Sequence, residues 1–163
     1  MRANGPEYGA DPARLFVSGS SAGAHMAALA ALTPNDPAFQ PGFEDADTSV
    51  TAAIGFNGWY GGYYGQDDAS SPLRHVRPDA PPFFIAHGDH DTVAPVEVAR
   101  RFAATLAGVS RNPVVYAELP GAQHAFDLFG SLRFEQVVDA ADAFTAWVRS
   151  SASLPDHHRR PGS

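Results

Sequence analysis

Four short apolar runs, each ended by turn-forming residues, limit what this chain of 163 residues can fold into. Uninterrupted apolar runs of this length are typical of strands that are buried on both faces of a parallel sheet. Helical patterns follow three of the runs, and strands that alternate with helices predict a doubly wound α/β sheet. The predicted strands are 14–18, 51–57, 82–87 and 113–119, and the predicted helices are 22–32, 95–106 and 132–148.

The length of the chain and the remaining segments predict a single domain. This domain spans residues 1–149, and residues 150–163 form a polar, disordered tail without an apolar anchor after Leu154. Gly108, just beyond the second helical pattern, is predicted to stop that helix. Residues 58–81 are rich in Gly, Tyr and Asp. They predict a long excursion over the carboxyl ends of the strands, where α/β folds build their sites.

The charge and composition exclude several classes of function. Eleven basic residues against 18 acidic ones give a net charge of -7, the wrong sign for a surface that neutralises nucleic-acid phosphates. The chain has no cysteine, which excludes a disulfide framework, a thiolate zinc site and a cysteine nucleophile. No run approaches the roughly 20 apolar residues of a membrane-spanning helix, and residues 1–12 lack the apolar core of a signal peptide. We therefore expect a soluble, cytoplasmic protein.

The segment Gly19-Ser20-Ser21-Ala22-Gly23 lies directly between the first predicted strand and the first predicted helix. It fits the G-x-S-x-G nucleophile elbow, in which glycines allow a tight strand-to-helix turn that holds a serine hydroxyl clear of the sheet. Ser21 is the central serine and the candidate nucleophile. The alternative is an ordinary Gly/Ser turn that leads into a helix.

An activated serine needs a base, and the base needs a third group to orient it. Two carboxylates, Asp89 and Asp91, follow the third predicted strand, and His124 follows the fourth. The order Ser, Asp, His along the chain is the order found in α/β-hydrolases. Either carboxylate could orient the imidazole, although a capping carboxylate and a loop histidine bonded to backbone are the plain alternatives. A divalent metal held by the cluster His87, Asp89, His90 and Asp91 is a further alternative.

These motifs resemble those of the α/β-hydrolase esterases, in particular the carboxylesterases similar to hormone-sensitive lipase. The matching segments are Gly19 to His25, His87-Gly88-x-x-Asp91-x-x-Ala94-Pro95 and His124-x-Phe126. The resemblance implies a truncated α/β-hydrolase fold with about four parallel strands and flanking helices, because it covers only the carboxyl-terminal half of the family's domain. It also implies that Ser21 is the nucleophile, Asp91 rather than Asp89 the acid, and His124 the base, with no cofactor.

The same resemblance raises two expectations about what surrounds the triad. The N–H of Ala22 is one oxyanion-hole donor, while the usual second donor, on an upstream His-Gly-Gly loop, is not encoded in these residues. The strand at 14–18 would have an unpaired edge. We expect that edge to pair with a second copy in a homodimer, unless residues 1–12 cover it.

The expected function is hydrolysis of small carboxylic esters through an acyl-enzyme. The alternatives are a catalytically silent half-domain that acts as an assembly subunit and, less favoured, a metal-dependent hydrolase. Trp59, Tyr60 and Tyr63 are expected to line the substrate pocket, with plain packing under the loop as the alternative. His25 lies one helical turn after Ser21, and we expect it to pack or bond between the helix and a neighbouring loop.

Overall fold

A computed structural model describes residues 2–62 and 68–151 of the chain. These residues form four strands and three α-helices, together with single-turn 3-10 helices at Gly5–Tyr8, Asp68–Ser70 and Pro72–His75. The order of the main elements is β1 (Phe16–Ser20), α1 (Ala22–Leu32), β2 (Ala52–Phe56), β3 (Phe83–Gly88), α2 (Val96–Val109), β4 (Val114–Leu119) and α3 (Leu132–Ser151).

The four strands form one parallel sheet in the order β1-β2-β3-β4. Phe16 pairs with Ala52, Ala53 pairs with Phe83, and Phe83 pairs with Val114. Because all strands run the same way, their carboxyl ends meet at one edge of the sheet. The predicted sheet of four parallel strands is confirmed.

Each face of the sheet packs against its own apolar cluster. On one face, helices α1 and α2 cover β2 and β3 through side chains that include Leu32, Ala53, Phe83, Phe102 and Leu106. On the other face, α3 covers the strands through Val137, Ala141, Phe144 and Val148. β3 is buried along its whole length, as its uninterrupted apolar run predicts.

Tyr60 belongs to the first of these clusters. Its side chain is 1% exposed and its ring stacks on Phe102 at a centroid separation of 4.5 Å. Gly55 and Gly58 leave the space that the tyrosine ring occupies, since a Cβ on either would lie within 2.4 Å of a Tyr60 side-chain atom. The expectation that Tyr60 lines the substrate pocket is therefore corrected: this ring is part of the core, the packing alternative.

Two helices end later than their patterns predict. Helix α2 continues through Gly108 to Val109, where the N–H of Ser110 donates to the carbonyl of Leu106. Gly108 does not stop the helix, because a glycine inside a helix costs only about 1 kcal/mol. Helix α3 runs through Ser151, two residues into the predicted tail. Residues 152–163 lie outside the described residues, so the disordered tail stays a prediction.

Strand β1 lies at one edge of the described sheet, with β2 as its neighbour. A groove of about 810 Å³ runs beside it, and Phe16 and Val17 contribute to its wall. Arg2 closes part of this groove: it forms an ion pair with Asp47 at 3.1 Å and donates to the carbonyl of Ser49 at 2.7 Å. The amino-terminal segment thus lines the groove beside β1, and the predicted homodimer stays a prediction.

Within the described ranges, no helix combines the length and the apolar character that crossing a bilayer requires. The cytoplasmic location stays a prediction.

Candidate active site

The turn between β1 and α1 consists of Ser21 alone. Ser21 has φ 55° and ψ -120°, a conformation that non-glycine residues rarely adopt. Strand and helix approach so closely that a Cβ on Gly19 would lie 2.2 Å from the backbone carbon of Gly23. Gly19 is therefore a steric requirement of the elbow. The strained backbone of Ser21 persists only where the surrounding structure holds it in place.

Ser21 is held at the carboxyl edge of the sheet. The backbone N–H of Ser21 donates to the carbonyl of Phe56 at 2.8 Å, which extends the ladder between β1 and β2. Its Oγ lies 2.9 Å from Nε2 of His124. Ala22, the next residue, begins α1, so its N–H has no acceptor within the helix.

Asp91 lies on the loop between β3 and α2. Its Oδ1 accepts from the N–H groups of Val93 at 2.9 Å and Ala94 at 2.7 Å. These two donors leave Oδ2 for Nδ1 of His124, at 2.7 Å. The side chain of Asp91 is fully buried, which strengthens its interaction with the imidazole. Asp91 thus orients a ring whose other nitrogen faces Ser21.

Asp89, the other candidate for the acid, has a different partner. Its Oδ1 accepts from the N–H of Gly121 at 2.6 Å, on the loop that carries His124. A Cβ on Gly88 would lie 2.3 Å from the carbonyl oxygen of Ala122, so the two loops are in close backbone contact. Asp89 therefore joins the loop of Asp91 to the loop of His124 and leaves the imidazole to Asp91.

His87 lies beside Asp91 and is fully buried. Its Nε2 donates to the carbonyl of Ala94 at 2.8 Å and lies 3.3 Å from Oδ2 of Asp91. Burial lowers the pKa of His87, which keeps the ring neutral. A neutral imidazole braces the ends of the 91–94 loop and adds no positive charge beside the carboxylate.

A metal centre would need several ligands around one point. Among residues 2–62 and 68–151, no group of three or more His, Asp or Glu side chains gathers in that way. The cluster considered from the sequence is divided: Asp91 faces His124, Asp89 faces Gly121, and His87 faces Ala94.

The loop after β2 contacts helix α1 through Trp59. The carbonyl of Trp59 contacts Nδ1 of His25 at 2.6 Å, which confirms that His25 bonds between helix α1 and a neighbouring loop. The indole of Trp59 is half-buried and donates to the carbonyl of Gly62 at 2.7 Å. Tyr63, the other aromatic residue expected to contact substrate, lies outside the described residues.

The family model described as the prolyl oligopeptidase family matches residues 3–153 of the chain. The chain belongs to the prolyl oligopeptidase family. Its α/β-hydrolase fold confirms the resemblance found in the motifs. Two similar curated relatives come from Mycobacterium tuberculosis. The probable carboxylic ester hydrolase LipM is 45% identical, over 91% of this chain and 40% of that protein. The esterase LipQ is 40% identical, over 88% of this chain and 40% of that protein. The chain spans about two-fifths of the length of these relatives.

Solved structures of esterases share the fold of this family member. Thermogutta terrifontis esterase 2, phosphoramylated by tabun, is 30% identical with a TM-score of 0.81, over 90% of this chain and 60% of that one. The butyrate-bound form of that esterase is 29% identical with a TM-score of 0.78, over 90% and 61%. The chain therefore corresponds to part of a longer hydrolase domain in these structures.

In this prolyl oligopeptidase family member, the contacts that His87 and Asn57 make near the candidate site are not predicted from the sequence. The sequence predicts His87 as the end of a strand, as part of the family motif and as an alternative metal ligand, and it predicts Asn57 as the last residue of a strand. Asn57 instead follows β2 and donates from Nδ2 to Oδ1 of Asp127 at 2.7 Å. The available sequence signal is a polar residue at the end of an apolar run. This signal does not identify a partner 70 residues away.

Proposed function

We propose that the chain hydrolyses carboxylic esters through an acyl-enzyme, with Ser21 as nucleophile, His124 as general base and acid, and Asp91 as the group that orients the imidazole. The observation that carries the proposal is the row of two hydrogen bonds: 2.9 Å from Ser21 Oγ to His124 Nε2, and 2.7 Å from His124 Nδ1 to Asp91 Oδ2. The three side chains come from three separate loops at the carboxyl edge of the sheet. The esterase relatives support the same reaction.

The proposed reaction has two halves. Ser21 Oγ attacks the ester carbonyl carbon while His124 Nε2 accepts the hydroxyl proton, and the tetrahedral intermediate then expels the alcohol, which takes that proton. Water attacks the acyl-enzyme in the same way, with His124 again as the base, and the carboxylic acid leaves Ser21. Throughout, Asp91 holds Nδ1 protonated and stabilises the imidazolium.

The N–H of Ala22 is the proposed donor to the oxyanion, because it begins helix α1 directly after the nucleophile. Loss of one such donor typically lowers kcat by about 100- to 1000-fold. A chain with Ala22 as its single donor would therefore be a slow esterase. Addition of a second donor from another segment would raise its turnover by a comparable factor.

Short acyl esters are the proposed substrate class. Thermogutta terrifontis esterase 2 has been solved with butyrate and with propionate bound, and the similarity covers 90% of the present chain. The half-buried indole of Trp59 is the proposed apolar surface for the substrate. Peptide bonds are a second candidate, favoured by the match to the prolyl oligopeptidase family.

The test is hydrolysis of p-nitrophenyl butyrate by the purified chain, with and without EDTA. We expect turnover that survives the chelator and disappears in Ser21→Ala. Ser18→Ala, an exposed serine of β1, is the matched control and should keep wild-type turnover. Absence of turnover from folded wild type would contradict the proposal and favour the silent assembly subunit. Loss of turnover to EDTA would favour the metal-dependent reaction. Cleavage of a prolyl peptide in preference to the ester would reassign the substrate.

We also propose that the edge of β1 pairs with a second copy of the chain. In a parallel ladder, alternate residues of an edge strand face its neighbour. Leu15 and Ser21 bond toward β2, which leaves the N–H of Ser18 on the open side. An open edge beside an apolar groove favours association with another strand.

Light scattering after size exclusion tests this pairing. Wild type and Ser18→Ala should be dimers, whereas Ser18→Pro, which removes the outward N–H, should be a monomer. A wild-type monomer of about 17 kDa at micromolar concentration would contradict the pairing.

A further inference from the structure

Two consecutive residues at the end of β2 contact two consecutive residues just after His124. From this arrangement we propose that the Asn57–Asp127 hydrogen bond is a positioning contact that sets the distance between His124 and Ser21. The inference rests on the proposed function, since its purpose is the alignment of the base with the nucleophile. Neither residue contacts the reacting atoms.

The contact has a polar part and an apolar part. Nδ2 of Asn57 donates to Oδ1 of Asp127 at 2.7 Å. The neighbouring rings of Phe56 and Phe126 meet edge to face, with centroids 6.5 Å apart. Two adjacent attachments fix both the position and the rotation of a loop, whereas one would leave it free to pivot. The backbone two to three residues after His124 is therefore fixed to the sheet.

The same piece of β2 also holds the nucleophile. The carbonyl of Phe56 accepts the N–H of Ser21 at 2.8 Å, and the N–H of Asn57 donates to the carbonyl of Ala86 at 3.0 Å. Residues 56 and 57 are thus joined to β1 on one side and to β3 on the other. They connect Ser21 to the loop of His124 through a short, rigid path.

The burial and the backbone conformation of Asn57 are energetically unfavourable, and its contact with Asp127 explains why an asparagine lies there. The residue is fully buried at φ 51°, a conformation in which Asn is enriched among non-glycine residues. Within the described part of the chain, its Oδ1 is buried without a hydrogen-bond partner. An apolar side chain would avoid that unpaired oxygen. The donor on Nδ2 is the feature that only the amide provides.

Asp91 alone does not align the imidazole. Its hydrogen bond to Nδ1 orients the ring, but the position of Nε2 also depends on where the backbone of the loop lies. Ala125, directly after His124, has φ 58°, which is unfavourable for alanine. Without an attachment beyond this turn, the strained backbone would relax and carry the ring away from Ser21.

The test compares Asp127→Ala with Asp127→Asn, which keeps an oxygen acceptor for Asn57 but removes the charge. For p-nitrophenyl butyrate, we expect Asp127→Ala to lower kcat by about 10- to 100-fold with little change in KM, the range for a misplacement of up to about 1 Å. Asp127→Asn should keep most of the wild-type kcat. Asp139→Asn, an exposed carboxylate on α3, controls for the loss of charge.

A second pair of variants separates the contact from general destabilisation. Asn57→Gly removes the amide and tolerates the positive φ, so it should lose as much kcat as Asp127→Ala. The double variant should lose no more than either single one, because both remove the same contact. Equal thermal stability of Asp127→Ala and Asp127→Asn, with different kcat, would exclude a merely structural role.

A readout that does not require turnover makes the inference independent of the reaction. The low-field proton resonance of the His124 Nδ1–H, assigned by its loss in His124→Gln, should be sharp in wild type and Asp127→Asn and broadened in Asp127→Ala. If wild type hydrolyses no ester but the resonance behaves in this way, the proposed function fails and the positioning contact stands. An unchanged resonance and kcat in Asp127→Ala, or an equal loss in Asp127→Asn, would overturn the inference.

Discussion

Two hydrogen-bonded networks in this molecule are each centred on a carboxylate, but they are built differently. In one, Asp91 accepts from His124, which contacts Ser21. In the other, Glu118 accepts from Arg100 at 2.6 and 2.8 Å and from the hydroxyl of Tyr116 at 2.8 Å. The first network comes from loops at the carboxyl edge of the sheet, and the second comes from a helix and a strand at its flank.

The difference lies in burial and in the backbone. The side chain of Asp91 is fully buried, whereas those of Arg100 and Glu118 are 47% and 31% exposed. Ser21 and Ala125 adopt positive φ angles to support the first network, while Tyr116, Glu118 and Arg100 lie in regular elements. Strained backbone at the first network, and its absence at the second, supports the proposal that the Asp91 network is the functional one.

Asp91→Asn should produce the largest effect on activity. Since Oδ1 of residue 91 accepts from two backbone N–H groups, the amide oxygen of asparagine will keep that place and present its NH2 to His124. The imidazole then has the wrong tautomer to accept a proton from Ser21. We expect kcat for p-nitrophenyl butyrate to fall by about 10⁴-fold. A loss of less than tenfold would show that Asp91 does not set the tautomer.

Gly19→Ala should disturb the elbow through backbone collision. The new Cβ would lie 2.2 Å from the carbon of Gly23, so α1 must move away from β1. A shift of about 1 Å at Ser21 lowers kcat by about 100-fold, and the melting temperature falls as well. Gly23→Ala is the matched control, because a Cβ there has nothing within 4 Å. Equal effects of the two substitutions would contradict the steric account.

His87→Gln should change the dependence of stability on pH. Burial holds the folded pKa of His87 below its ordinary value of 6.5, so the unfolded chain binds more protons below that pH. The contribution of His87 to the free energy of unfolding should therefore be constant above about pH 6.5 and decline as the pH falls below it. The glutamine amide still donates to Ala94 but does not titrate. Urea unfolding across this range should give a smaller decline in the variant, and an unchanged decline would refute the assignment.

Glu118→Gln should have the smallest effect. Hydrogen bonds from Arg100 and Tyr116 hold the pKa of Glu118 down at about 2, so its contribution to stability is lost only as the pH falls from about 4.5 toward that value. At neutral pH the pair is solvent-screened and contributes little. We expect unchanged kcat and a small shift in melting temperature. A loss of kcat would show that the two networks are coupled.

Segments with a strong local pattern were predictable from the sequence. Helix α1 has the predicted bounds, Ala22–Leu32, because an Ala-rich run lies between the elbow and a Pro-containing turn. The proximity of Ser21, Asp91 and His124 was predictable because the loops that follow parallel strands lie at one edge of the sheet. Two hydrogen bonds join these three side chains, with His124 between Ser21 and Asp91.

Contacts between distant segments were not predictable in the same way. Tyr60 was expected at the site, but its burial depends on space left by Gly55 and on the ring of Phe102. Asn57 shows no local sign that it bonds to Asp127. Such contacts arise from packing between elements, and a single sequence carries no pattern that states them.

Reaction with a serine-directed phosphonate, followed by intact-mass measurement and peptide mapping, tests the central claim most directly. The activated hydroxyl of Ser21 should take up one phosphonate group, the adduct should be absent in Ser21→Ala, and its formation should be much slower in His124→Gln. Folded wild type that takes up no phosphonate, or that takes it up on a different serine, would contradict the account.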